Sequence, residues 1–173
     1  NDIKNILFHV NHITVPEVMQ VLVQDENCKI DAFLGPSHVS VISGSKIYEE
    51  FPRDYNKPVV VSGFEPVDVM QSLSMIVKQF KEKRSNLEVE YKRLVSYEGN
   101  LKAQELINKY FKKVPFKFRG IGEVEDSGYE LKDEYDNYNA KIVYKEILPT
   151  KEVKDNKACK CPDILKGVAK PHD

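Results

Sequence analysis

Short apolar runs alternate with stretches of helical period through most of the chain. Ile6-Leu7-Phe8-His9-Val10 has the length of a buried strand, and Pro16 then opens Glu17 to Val23 as a helix with Thr14 near its start as a cap. Lys29 to Leu34 repeats the strand signal and ends in Gly35-Pro36, after which Ser37 to Gly44 leads into a short helix around Lys46 to Phe51. Pro58 to Val61 is a third strand closed by Ser62-Gly63-Phe64-Glu65, and Pro66 sits in the first turn of a helix running to about Arg84. That helix carries Val69, Leu73, Ile76 and Phe80 at spacings of three and four, with Met70 and Val77 alongside, and this face is expected to cover a sheet. Leu87, Val89 and Tyr91 alternate with Glu88, Glu90 and Lys92 as in a half-exposed strand. Beyond Gly99-Asn100, Leu101 to Phe111 returns to helical period, and Phe116 to Gly122 reads as one more strand ending in glycines.

This alternation predicts an α/β fold, a mainly parallel sheet covered by helices in a Rossmann-like three-layer arrangement, because each crossover between parallel strands needs a helix. From Glu123 onward the pattern degrades. Glu125 to Asn139 is charged and tyrosine-rich with a short helix near Leu131 to Tyr135, Lys151 to Lys157 is a polar connector, and Ala158 to Asp173 is an irregular cysteine-containing appendix. The expected division is an α/β domain over 1–150 and the start of a C-terminal cysteine region over 151–173.

At 173 residues the chain is long enough to bury a core without disulfides or metal. Charge is plentiful but cancels, 26 basic against 27 acidic residues, which disfavours a nucleic-acid module or an anionic-membrane binder. No apolar run approaches the ~18 residues that cross a bilayer, and no basic leader precedes a cleavage site. A soluble, cytoplasmic protein is expected. Cys28 stands alone and Cys159 and Cys161 are close together, a poor start for a secreted disulfide framework, so reduced thiols are expected. The sequence begins at Asn1 rather than Met and stops soon after the cysteine pair, and is read as a piece of a longer protein.

In an open parallel sheet, functional groups collect beyond the carboxyl ends of the strands. Pro36, His38 and Ser40 follow the second predicted strand, Gly63, Phe64, Glu65 and Asp68 follow the third, and Asn11 and His12 follow the first. His38, between a proline turn and a helix start, has the chemistry of a base, a ligand or a hydrogen-bond donor, with loop capping as the plain alternative. For Glu65 and Asp68 the plain alternative is the helix dipole, which favours acids at a helix start. Cys159-Lys160-Cys161 is too close for an unstrained disulfide, and two thiolates are half of what a tetrahedral zinc or an iron–sulfur cluster needs. Two unrelated thiols are the competing reading. Gly120-Ile121-Gly122 lacks the last glycine of the dinucleotide fingerprint, and neither a phosphate loop nor a Gly-x-Ser-x-Gly elbow is present.

Taken together, Pro36-Ser37-His38-Val39-Ser40 with Gly44, Pro58 to Asp68 (PVVVSGFEPVD), Tyr91 to Val95 with Glu98-Gly99-Asn100, and Ala158-Cys159-Lys160-Cys161 with Ile164 to Gly167 resemble the HypD family of [NiFe]-hydrogenase maturation factors. The four stretches occur in the family's order and spacing and cover most of the chain. The resemblance implies a scaffold that assembles the Fe(CN)2(CO) unit of the hydrogenase together with a small HypC-type chaperone and a HypE-type enzyme that delivers cyanide. It implies iron and a [4Fe–4S] cluster in the full-length parent, with Cys159 and Cys161 among the cluster ligands. Catalytic or positioning roles fall on His38, Ser40, Glu65 and Asp68, and Pro36, Gly63 and Phe64 line the ligand cleft.

The sequence departs from the family pattern in lacking an N-terminal cysteine motif and further C-terminal cysteines. Pro162 stands at a usual glycine, and Ser37 replaces a small residue that is commonly Gly or Ala. The expectation is therefore a central α/β portion with no cofactor and no activity of its own. Two other readings stay open: a self-contained transferase or lyase using His38 and Glu65 as an acid/base pair, and a protein-interaction module.

Overall fold

The computed structural model describes residues 4–149, 156 and 158–172. The chain divides into two compact units, one formed by Val23–Leu106 and the other by Asn1–Leu22 with Ile107–Asp173. The sequence-based boundary near 150, and most of the connector after it, fall outside the described residues.

The central unit is the expected α/β assembly. Its sheet has three parallel strands in the order β1 (Phe33–Pro36), β2 (Val59–Ser62) and β3 (Leu87–Val89). Phe33 pairs with Val59 and Val59 with Leu87, so the three strands end at one edge. β2 lies between two neighbours, and Val59, Val60 and Val61 are all 0% exposed, which is why it reads as an unbroken apolar run and not as an alternation. Between β1 and β2 run α2 (Ser37–Ser43), a 3-10 turn (Ser45–Tyr48) and α3 (Glu50–Asp54), which bury Tyr48 and Phe51. Phe33 and Phe51 meet with ring centroids 5.8 Å apart. Burial pushes the Tyr48 phenol up.

α4 (Pro66–Lys81) crosses from β2 to β3. Pro66 occupies its first position, where the missing N–H costs nothing, and the helix ends at Glu82, as the sequence pattern predicts to within a few residues. Its buried face differs from the expected one. Asp68, Ser72, Ile76 and Gln79 point inward, whereas Met70, Leu73, Val77 and Phe80 are exposed. Periodicity alone marks an apolar stripe and does not say which neighbour it meets. Two of the inward polar groups have specific partners: Asp68 is bonded by Arg93, and Gln79 Oε1 accepts the N–H of Asn86 at 2.7 Å at the entry to β3, while among the described residues the Ser72 hydroxyl and the Gln79 amide nitrogen are buried without one.

The other unit departs further from expectation. β4 (Phe111–Phe118) and β5 (Gly122–Leu131) form an antiparallel pair with a register break beside Pro115, which has no N–H to give to the ladder. The sheet system is thus parallel in one unit and antiparallel in the other. β5 escapes detection because its exposed positions are acidic and only Val124, Ser127, Gly128 and Leu131 turn inward. Ile6 to Val10 is likewise no continuous strand. Phe8 makes one parallel bridge to Asn139 and Ile13 one antiparallel bridge to Gly128, so Asn11 and His12 belong to the unit that holds the antiparallel pair and follow no strand of the parallel sheet in the chain.

α1 (Pro16–Gln24) buries Met19 and Leu22, α5 (Leu101–Tyr110) leads into β4, and two short helices, α6 (Ala140–Val143) and α7 (Cys161–Leu165), complete the elements. Glu17 is ion-paired with Lys113. Burial raises the Glu17 carboxyl, but bonds from Lys113 and Thr14 outweigh it and hold it below its ordinary value of 4.5. No helix among the described residues is long and apolar enough to cross a membrane.

Two predictions test this packing. Phe51→Ala removes a side chain with 0% exposure and should cost about 3–5 kcal/mol, read from the urea midpoint. The stability difference between the parent chain and Glu17→Gln should be full above pH 4.5 and shrink as pH falls through the lowered carboxyl value, because a depressed acid stabilises only while it is ionised. A difference that stays constant down to pH 3 would contradict the pairing.

Candidate functional site

The parallel register brings the ends of β1, β2 and β3 to the same edge, and the chain leaves β1 and β2 through residues flagged in the sequence. β1 ends at Pro36, which is extended (φ −75°, ψ 127°) and passes directly into α2. His38 is the second residue of that helix and exposed. Its ring lies 5.0 Å from the ring of Phe64, measured between centroids, at a 42° tilt. Among the described residues the imidazole makes no hydrogen bond, so neither nitrogen is committed. Ser40 is placed differently: it is 0% exposed and its hydroxyl donates to the Pro36 carbonyl at 2.8 Å. That bond ties the first turn of α2 to the end of β1 and spends the hydroxyl on the backbone.

β2 ends at Ser62, whose hydroxyl donates to the Gly63 carbonyl at 2.8 Å. Gly63 donates its N–H to Glu90 Oε2 at 3.3 Å, a link from β2 to the residue after β3. A Cβ on Gly63 would collide with the Asp68 carboxylate and come within 2.6 Å of the Tyr91 ring. Only glycine leaves room for that carboxylate. Asp68 is 5% exposed and receives both bonds from Arg93 Nη2, at 3.1 and 3.0 Å. Arg93 in turn stacks on Tyr91, 4.4 Å from its centroid, and has Glu65 Oε2 at 3.8 Å. The Tyr91 hydroxyl and these acids hold the guanidinium firmly in its charged form. Glu65 precedes α4 as its cap residue, but its side chain makes no capping bond and is exposed.

The edge therefore holds two groupings. One is aromatic and uncommitted, His38 with Phe64. The other is a charged lock of Asp68, Arg93 and Glu65 backed by Tyr91 and Gly63. Sequence reading named His38, Phe64, Gly63, Glu65 and Asp68. It gave no site role to Tyr91 and Glu90, which follow β3 directly and were read as positions of the alternating strand, Tyr91 also opening one of the family-like stretches.

The Gly99 turn holds the C-terminal end of α2. Gly44 and Gly99 have φ of 80° and 73°, and a Cβ on either would strike the backbone of the other's segment. Asn100 donates its N–H to the Ile42 carbonyl at 2.9 Å, Gln104 Nε2 reaches Ile42 and Glu98 carbonyls at 2.8 and 2.7 Å, and Lys46 pairs with Glu98. The end of α2, the helix that presents His38, is clamped by these bonds.

Cys159 and Cys161 lie in the other unit, at and just before the start of α7. Gly120, at φ +76° in the turn between β4 and β5, faces Pro162, whose ring a Cβ would meet at 2.9 Å. The glycine of the rejected dinucleotide motif thus makes room for the cysteine segment. Among the described residues no three or more His, Cys, Asp or Glu side chains lie together as a metal site. Two thiols alone supply half of a four-ligand set, so these residues by themselves do not fit a [4Fe–4S] cluster. Cys28 carries no disulfide, and it lies beyond α1 in the other compact unit from the pair.

A small parallel α/β unit with its uncommitted groups at the carboxyl edge is the architecture of a protein that holds a ligand or a partner at that edge. The family model HypD, described as "Hydrogenase formation hypA family", matches residues 1–173, and the chain belongs to that family. Among curated relatives, the hydrogenase maturation factor HypD2 of Bradyrhizobium diazoefficiens is 40% identical, covering 99% of this chain and 46% of its own length. HypD of Cupriavidus necator is 38% identical over 94% of this chain and 44% of its own length. HypD of Escherichia coli K12 is 35% identical over 99% and 46%. The chain thus spans a little under half the length of these relatives.

Gly63→Ala should cost about 1–3 kcal/mol by forcing Asp68 off Arg93. In a double-mutant cycle with Asp68→Ala the two costs should fall well short of additive, since the second change vacates the space the first one needs. Strict additivity in denaturant midpoints would show that the two residues do not share that space.

Proposed function

We propose that this chain is part of a hydrogenase-maturation scaffold on which the Fe(CN)2(CO) unit is assembled, in the cytoplasm, with a small HypC-type chaperone and a HypE-type cyanide-delivering enzyme as partners. The observation that carries the reading is the pairing of a family match along the whole chain with an uncommitted imidazole at the carboxyl edge of the parallel sheet. The iron is cargo in this scheme. Groups that serve it from this chain have to be accessible and polar.

His38 meets both conditions. It is presented by the short α2 helix beside Phe64, and its free nitrogens can donate to or accept from a ligand, or move a proton, without changing any bond in the fold. Gly63 and Phe64 shape the surface beside it. Asp68 serves by position: its carboxylate is consumed by Arg93, so its contribution is to hold that guanidinium, with Glu65, as a preformed donor at the edge. Ser40 keeps Pro36 and α2 in register. Cys159 and Cys161 would serve a cluster only together with further thiolates, and no step is assigned to them.

The test uses the complete reading frame that encodes this chain, expressed in a hydrogenase-producing host without its own HypD. His38→Ala should lower the yield of active hydrogenase by about tenfold or more, the range in which general acid–base or hydrogen-bonding groups act, while the protein level is unchanged. Full yield from His38→Ala would remove the imidazole from the mechanism.

A further inference from the structure

α4 turns its polar side inward and its apolar side outward. Val67 is 73% exposed and Met70 67%, and Leu73, Val77 and Phe80 continue the same stripe, with Phe64 ahead of the helix at 65%. Met70, Leu73, Val77 and Phe80 stand at spacings of three, four and three, the a/d seam by which one helix receives another. Isolated exposed apolar residues need no explanation, but a continuous stripe along one helix marks an interaction surface.

The charges flanking the stripe are unevenly placed. Lys78 and Lys81 are exposed at the C-terminal end, and Glu65 is exposed at the N-terminal end. Lys78 has Glu82 at a loose 3.9 Å. Glu65 already has Arg93 at 3.8 Å, so the unmet charge lies at the lysine end, and it is there that an occupant must bring acids. In an α-helix acids are favoured in the first turn and bases in the last, so the matching occupant lies with its N-terminus over Lys78 and Lys81 and runs antiparallel to α4.

We propose that the outer face of α4 is the docking seam for an amphipathic helix of a partner protein, antiparallel to α4, with acidic residues in its first turn. This goes beyond the assembly role of the carboxyl edge and does not depend on it. Helix-in-groove recognition needs anchors at i, i+3, i+4 and i+7 of the visiting helix, and the stripe offers the complementary row.

The test uses the whole chain and two synthetic peptides of about 18 residues, both with leucines at heptad a and d positions. One carries glutamates in its first turn and lysines in its last, and the other carries the reverse. Fluorescence anisotropy should give the acid-first peptide about tenfold higher affinity. Met70→Glu and Val77→Glu should abolish binding with the far-UV circular dichroism unchanged, because both side chains already face solvent. A Lys78→Glu, Lys81→Glu variant should invert the preference between the two peptides. The proposal fails if the peptides bind equally, if binding survives Met70→Glu, or if neither binds. It also fails if sedimentation shows self-association that Met70→Glu removes, since the face would then serve a second copy of this chain.

Discussion

A strand buried on both faces and paired on both edges dictates most of the central unit. Val59, Val60 and Val61 are fully enclosed, so β2 must take a neighbour on each side, and parallel pairing with β1 and β3 obliges the chain to cross over by helix each time. Each crossover starts from the same edge. His38, Phe64, Glu65 and Arg93 are gathered there by that requirement alone, before any of them makes a contact.

Placing Asp68 inside the first turn of α4 adds a second constraint. A desolvated carboxylate is costly unless it is bonded, and the carboxylate is met by Arg93, which in turn needs Tyr91 for stacking and Gly63 to leave space. Three residues from two chain segments, Gly63 after β2 and Tyr91 and Arg93 after β3, thus depend on one buried charge. The guanidinium is anchored at the edge by two bonds to one carboxylate, and the backbone of β2 is linked to the end of β3 through Gly63 and Glu90. The Gly44 and Gly99 crossing does the same for α2 by allowing two backbones to touch. Stiffness here comes from close approach, which only residues without side chains permit.

These features were unevenly legible in the sequence. β2 could be read because complete burial writes itself as consecutive valines, and the start of α4 because proline has few other places to stand. The strand-end residues followed from topology once the strands alternated with helices. β5 could not be read, since its outward positions are acidic and its inward ones include Ser127 and Gly128, which carry no period-two apolar signal. The Ile6 to Val10 run misled in the opposite sense: apolar residues that make one bridge to Asn139 look the same in sequence as residues of a full strand. The roles of Tyr91 and Glu90 were missed because stacking under an arginine and accepting one N–H add nothing to the period-two pattern in which both residues were read. The buried face of α4 was assigned to the apolar stripe because hydrophobic period reports that a face will be covered and is silent on which neighbour covers it.

That last misassignment has a physical consequence for the molecule. A helix whose inward face holds Asp68, Ser72 and Gln79 gains little from burial on the sheet side and keeps its strongest apolar surface for contact elsewhere. Both ends of the arrangement meet at Phe64. It begins the exposed stripe of α4, and its ring is also the one that holds His38. A helix seated on the seam would bury Phe64 and fix its rotamer, and the imidazole packed 5.0 Å away would lose freedom with it. Docking on α4 and chemistry at the carboxyl edge would then be coupled through a single aromatic contact, and the sign of the coupling is set by whether His38 works best in the orientation that Phe64 imposes.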